Sequence, residues 1–102
     1  QKVLSHIRKN IYKTVDIDSL AAISCLSKDH FIRLFKKEVG TTPLQCINQK
    51  KIEKAQLILI TEDIPVKNIA YLLAYEDHSY FNRLFKKITD VTPQQYRELY
   101  KK

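Results

Sequence analysis

With 102 residues, 44% of them hydrophobic, the chain can bury a core but is short enough to be one compact domain, at most of two lobes. One Gly, three Pro and few alternating β-branched runs exclude a sheet protein and predict an all-α fold of long helices and short turns. A formal net charge of +7 points to a polyanionic partner, nucleic acid before an acidic membrane surface, against the bland alternative of a solvated lysine-rich surface.

Val3, Leu4, Ile7, Ile11 and Tyr12 form a stripe at helical spacing, which predicts an amphipathic helix over residues 2–13. Asp16-Ile17-Asp18 is a turn, and Asp16 or Asp18 caps a short helix, Ser19 to Ile23, that turns Leu20, Ala21 and Ile23 inward. Residues 24–27 read as a turn, with Ser27 the N-cap of a helix over 28–39. On that helix Phe31, Leu34, Phe35 and Glu38 share one side, while Asp29, Ile32, Arg33, Lys36 and Lys37 lie on or beside the other. Gly40 stands where a left-handed C-cap is wanted, and Pro43 starts the next helix.

The helix over 43–60 is the longest, about 27 Å. Leu44, Ile47, Ile52, Ala55, Ile58 and Leu59 form its inner face, with Lys50, Lys51 and Lys54 mostly outside. Pro65 starts a helix that turns Val66, Ile69, Ala70 and Leu73 inward. A helix over 78–89 buries Phe81, Leu84, Phe85 and Ile88 and exposes Ser79, Asn82, Arg83 and Lys86, flanked by His78, Tyr80 and Lys87. Pro93 starts a last helix carrying Tyr96, Leu99 and Tyr100.

The two halves repeat. Phe31-Ile32-Arg33-Leu34-Phe35-Lys36-Lys37 returns fifty residues later as Phe81-Asn82-Arg83-Leu84-Phe85-Lys86-Lys87, Thr42-Pro43 returns as Thr92-Pro93, and Gln45 as Gln95. Leu20-Ala21 matches Ile69-Ala70 at forty-nine, so one extra residue enters near Glu76-Asp77, where only a turn accommodates it. Each half is therefore a helix-turn-helix, lobe one over 1–42 and lobe two over 61–102, joined by the linker helix 43–60.

A helix in a major groove presents base-reading groups near its N-terminus and phosphate-binding groups on its flanks. Arg33 and Arg83 occupy the same outward position in the two copies, and a guanidinium fork suits the N7 and O6 of guanine. Around Arg83, His78, Ser79 and Asn82 can hydrogen-bond to bases. Around Arg33, Asp29 can accept from a cytosine amine and Ile32 can touch a thymine methyl. Lys28, His30, Lys36, Lys37, Tyr80, Lys86 and Lys87 are the candidate phosphate contacts, which position a protein without specifying sequence.

Other chemistry is not indicated. Cys25 and Cys46 lack metal or redox spacing, and both fall on apolar helical faces, which predicts buried thiols and fits a reducing cytoplasm. The scattered histidines complete no zinc site with them. Neither a Gly-rich phosphate loop nor a Ser/His/Asp set that the helix phases would bring together is present, so no cofactor and no enzymatic activity are expected. No apolar run approaches the ~20 residues of a membrane span, and no leader is visible. Beginning at Gln1 and lacking Met, the sequence reads as a piece of a longer protein.

The motif set Ile69-Ala70, Ala74-Tyr75, Ser79-Tyr80-Phe81, Arg83-Leu84-Phe85-Lys86-Lys87, Thr92-Pro93 and Tyr96-Arg97 resembles the DNA-binding domain of the AraC/XylS family of bacterial transcription regulators, over nearly the whole chain. Ala74-Tyr75 replaces the family's usual Gly-Phe, Asp90 its Gly before the second Thr-Pro, and Lys51 an Arg early in the linker helix. The resemblance implies about seven helices and two helix-turn-helix lobes whose recognition helices enter successive major-groove faces of one site on double-stranded DNA. It places base reading at Asp29, Ile32 and Arg33 and at His78, Ser79, Asn82 and Arg83. It also implies a sensor or dimerisation domain elsewhere in the protein and activation through contact with RNA polymerase. The rival readings are a basic DNA binder without sequence preference, a helical module that docks on an acidic protein, and an enzyme, which would need a reactive thiol at Cys25 or Cys46.

Overall fold

The computed structural model describes residues 2–101, which form seven helices and, among the described residues, no strand: α1 (Lys2–Lys9), α2 (Ile17–Ile23), α3 (Lys28–Val39), α4 (Pro43–Thr61), α5 (Val66–Leu72), α6 (His78–Thr89) and α7 (Pro93–Tyr100). Two compact units divide the chain, Gln1–Lys50 and Lys51–Lys102, and α4 runs from one into the other.

The first unit holds α1, α2, α3 and the start of α4. α1 stops at Lys9 rather than continuing to residue 13, because the Asn10 side chain donates to the His6 carbonyl at 2.8 Å and closes the last turn. α2 begins two residues earlier than the pattern suggested. Asp16 is its N-cap, accepting from the Asp18 and Ser19 amides at 2.8 and 3.4 Å, and the Ser19 hydroxyl bond and these amides hold its carboxyl below the usual carboxylate range. Val3, Ile7, Leu20, Ala21, Phe31, Phe35, Cys46 and Ile47 make the core, with Ile32 and Val39 of α3 packed against it.

Ile32 and Leu34 have exchanged the places expected of them. The buried stripe of α3 runs through Phe31, Phe35 and Val39, so its centre leans about 50° toward Ile32 and away from Leu34. Leu34 is consequently 36% exposed, and Ile32 is half-buried.

The second unit rebuilds this plan from the rest of α4 with α5, α6 and α7. Ile52, Ala55, Leu59, Ile69, Ala70, Leu73, Phe81 and Phe85 are almost wholly excluded from solvent. An aromatic chain links Tyr75 to Phe81 (5.4 Å between centroids), Phe81 to Phe85 (6.0 Å) and Phe85 to Tyr96 (5.6 Å). Lys51, expected outside, is 4% exposed; it lies in the same helical stripe as Ile47, Ala55 and Ile58. Leu44, expected inside, is 57% exposed in the first turn of α4.

The repeated Thr-Pro-x-Gln has a local cause. The Thr42 hydroxyl accepts from the Gln45 amide at 3.2 Å while the Gln45 side chain accepts from the Thr42 amide at 3.0 Å; Thr92 and Gln95 repeat both bonds at 3.1 and 2.9 Å. Each pair is a capping box that satisfies two orphan amides, with Pro in the first turn where its missing N–H costs nothing.

Candidate nucleic-acid interface

Both helix-turn-helix turns close the same way. In the first, Leu26 N donates to the Ala21 carbonyl at 3.1 Å around Cys25, whose φ is +59°; in the second, Tyr75 N donates to the Ala70 carbonyl at 3.0 Å around Ala74, φ +66°. Cys25 is therefore an exposed turn residue, not the buried helical thiol expected, whereas Cys46 is buried as expected. These matched turns stand forty-nine apart, and the N-caps Ser27 and Asp77 that follow them stand fifty apart. The extra residue lies within Glu76-Asp77, outside both helices.

The caps set where α3 and α6 begin. The Ser27 hydroxyl accepts from the His30 amide at 3.3 Å, and the Asp77 carboxylate accepts from the Ser79 amide at 2.8 Å. At the far ends, Gly40 (φ +96°) and Asp90 (φ +72°) take the same left-handed C-cap, each amide donating to the carbonyl of Lys36 or Lys86.

With both ends and the buried stripe fixed, the outer faces follow. Phe31 and Phe35, and Phe81 and Phe85, are buried one turn apart, so Arg33 and Arg83 between them point about 180° away and are exposed. Asp29, Lys36 and Lys37 are exposed beside Arg33, as are Ser79, Lys86 and Lys87 beside Arg83. His30 and Tyr80 are exposed at equivalent positions, Tyr80 with its ring 6.1 Å from that of Tyr75. Among the described residues neither Arg33 nor Arg83 makes an ion pair. Lys28 does, at 3.9 Å from Asp18, but both side chains are largely in solvent and the pair holds neither of them in place.

The remaining expected readers are less open. Ile32 and Asn82 share one position on the flank of the buried stripe; both are half-buried, and Asn82 Oδ1 is covered without a hydrogen-bond partner. His78 is also half-buried, because the first residue of α6 lies near the buried side of the helix.

Two residues outside the expected site, Lys51 and Arg97, tie α4 to the rest of the second unit. Lys51 donates from Nζ to the Leu73 carbonyl at 2.5 Å and lies 5.7 Å from the centre of the Tyr75 ring; burial lowers its pKa to about 8. Its phase alone could have placed it inside. Arg97 donates to the carbonyls of Leu59 (3.0 Å) and Glu62 (3.1 Å), covering the C-terminal end of α4; no local pattern announces a bond across so long a separation.

Residues 20–99 match the model of a helix-turn-helix domain family. The chain is 34% identical over 94 residues to the MmsAB operon regulatory protein of Pseudomonas aeruginosa, covering 92% of this chain and 31% of that protein. It thus spans less than a third of that relative's length. Its fold superposes on the C-terminal domain of AraT, a response regulator from Geobacillus stearothermophilus, with a TM-score of 0.93 at 26% identity, over 99% of this chain and 84% of that one. The DNA-binding domain of AdpA, solved in complex with a target DNA, shares the fold at a TM-score of 0.91 and 24% identity, over 96% and 88% of the two chains. Among the described residues no helix is long and apolar enough to cross a membrane. Matched along four-fifths of its length to the helix-turn-helix model and identical at a third of positions to an operon regulator, the chain belongs to the AraC/XylS family of helix-turn-helix DNA-binding domains.

Proposed function

We propose that each unit reads one major-groove segment of an operator, the first with α3 and the second with α6. The observation that carries this reading is the repeated arginine: Arg33 and Arg83 sit at equivalent outward positions between buried phenylalanines, exposed and without an ion pair among the described residues. A guanidinium held on a rigid helix and free of an intramolecular partner is prepared for bidentate bonds to guanine.

Ser79 and Asp29, exposed one turn earlier, supply the next base contacts. His78, Asn82 and Ile32 reach bases only at the edge of the groove, since each is half-covered by its own unit. His30, Tyr80, Lys28, Lys36, Lys37, Lys86 and Lys87 meet phosphates. The protein acts on transcription as part of a longer chain, with a sensor or dimerisation domain and a contact to RNA polymerase, in the cytoplasm. Support for that wider role is the operon regulator to which the chain is similar and of which it spans 31%.

Selection of duplexes from a random pool at two salt concentrations, with wild type and Arg83→Ala, tests the reading. The expected result is an enriched bipartite site of which the variant relaxes one half. A flat pool that keeps its salt dependence leaves only general DNA binding, and no binding at low salt leaves a protein-docking module.

A further inference from the structure

Lys51 lies in α4, yet its contacts lead to the first turn of α6 in three steps. The first is its hydrogen bond to the Leu73 carbonyl. Leu73 is the C-cap of α5, and a carbonyl there has no partner within its own helix. The ammonium both satisfies it and meets the negative end of the α5 dipole. The second step is the Tyr75 ring, 5.7 Å from Nζ and two residues beyond Leu73. The third is the contact of that ring with Tyr80 (6.1 Å) and Phe81 (5.4 Å), both in the first turn of α6.

A lysine 4% exposed carries a large desolvation cost, and burial without a function in packing or pairing is rare for this residue. A methionine or leucine at this place in the inner stripe would pack without that cost. What they lack is the donor. The turn between α5 and α6 holds one residue more than its counterpart in the first unit, each turn having one left-handed residue, Ala74 and Cys25. The bond from Lys51, on a separate helix, ties down the end of α5 from which that longer turn leaves.

We propose that Lys51 is a positioning residue for the second recognition helix, holding the Leu73 carbonyl and the Tyr75 ring so that the first turn of α6 meets the bases in one orientation. The inference rests on the reading of α6 as a DNA-contacting helix, and it goes further by naming a residue outside both recognition helices that sets specificity in one half of the operator.

Two variants separate the donor from the packing: Lys51→Met keeps an unbranched stem and removes the donor, and Lys51→Arg keeps a donor. Each is compared with wild type well below its melting temperature, on the selected duplex and on duplexes altered in either half. Lys51→Met is expected to lose roughly tenfold in discrimination at the half read by α6, the worth of about one base contact. The other half should keep its discrimination, and Lys51→Arg should stay close to wild type. Equal loss in both halves, unchanged discrimination in Lys51→Met, or failure of Lys51→Arg to restore it overturns the proposal. Hydrogen exchange without DNA gives a second reading: the Tyr75 amide, bonded to the Ala70 carbonyl, should exchange faster in Lys51→Met. If that amide responds but wild type discriminates nothing at the α6 half, the DNA-reading role of α6 fails while the latch stands as a structural one; if the amide does not respond, the latch itself is absent.

Discussion

Arg97 donates its Nε–H to the carbonyl oxygen of Leu59 at 3.0 Å, a bond spanning 38 residues between the last helix and the end of α4. The same guanidinium reaches the Glu62 carbonyl, Lys101 donates to that carbonyl at 2.8 Å, and Lys101 also pairs with Asp63, whose carboxyl is held below its usual range chiefly by that bond. The C-terminal carbonyls of α4, which no helical amide can reach, are thus covered by cations that also suit the negative end of the helix dipole. Arg97→Ala should destabilise the protein by about 1–3 kcal/mol, the usual cost of hydrogen bonds from a charged donor. Urea denaturation followed by circular dichroism measures it, and a midpoint equal to wild type would show the clasp to be idle.

Lys51 and Tyr75 together are expected to place a stability maximum at alkaline pH. Burial lowers the Lys51 pKa to about 8 from an ordinary 10.5, so between those values the unfolded chain binds a proton that the folded one does not, and stability rises with pH. Burial, with Tyr80 adding to it, pushes the Tyr75 phenol above its ordinary 10.0. Above that pH the unfolded chain is the one that has lost a proton, and stability falls. Wild type should therefore gain roughly 2 kcal/mol between pH 8 and pH 10 and lose stability above it. In Lys51→Met the rise should disappear and the fall remain. Melting temperature across pH 7–11 for both proteins distinguishes this from the general discharge of surface lysines, which the two share.

The repeat, the helix count and the extents of α3 and α6 were legible because each is encoded locally: an apolar stripe, a cap, a Gly or a Pro. Ile32 and Leu34 were not, since a stripe shows which residues gather on a helix but not how far the neighbouring helix leans to one flank. Cys25 misled because an apolar neighbourhood in sequence resembles a helical face, while the left-handed turn that exposes it depends on the Leu26–Ala21 bond. Lys51 was assigned by its charge although its phase matched the core. Its partner, the Leu73 carbonyl, is defined only once α5 has ended. Arg33 and Arg83 were readable for the opposite reason, that an outward position opposite two buried aromatics needs no tertiary knowledge.

Ala74 adopts φ +66°, a region where a Cβ is strained and glycine is not. Ala74→Gly removes that strain while making the unfolded chain more flexible, and the strain is the larger of the two effects. A gain of about 0.5 kcal/mol is expected, seen as a higher melting temperature. The reverse change in the first unit, Gly40→Ala at φ +96°, should cost about 1 kcal/mol; the constraint there is the backbone angle, since nothing lies within 4 Å of an added Cβ. A gain on Gly40→Ala would contradict the left-handed cap.

Arg83 and Lys87 lie four residues apart on the exposed side of α6 but should behave differently in DNA binding. A base contact is worth something only with the right base, so Arg83→Ala should weaken binding to the selected duplex by about 1–3 kcal/mol and leave binding to random DNA nearly unchanged. A phosphate contact is indifferent to sequence and releases condensed counterions. Lys87→Ala should weaken selected and random duplexes alike and reduce the slope of log affinity against log salt by about 1. Titrations of both variants on both duplexes between 50 and 200 mM salt, roughly the range in which such slopes are resolved, decide the assignment. If Arg83→Ala behaves as Lys87→Ala does, the arginine is a backbone contact, and the specificity of the second unit must come from Ser79 and the half-covered His78 and Asn82.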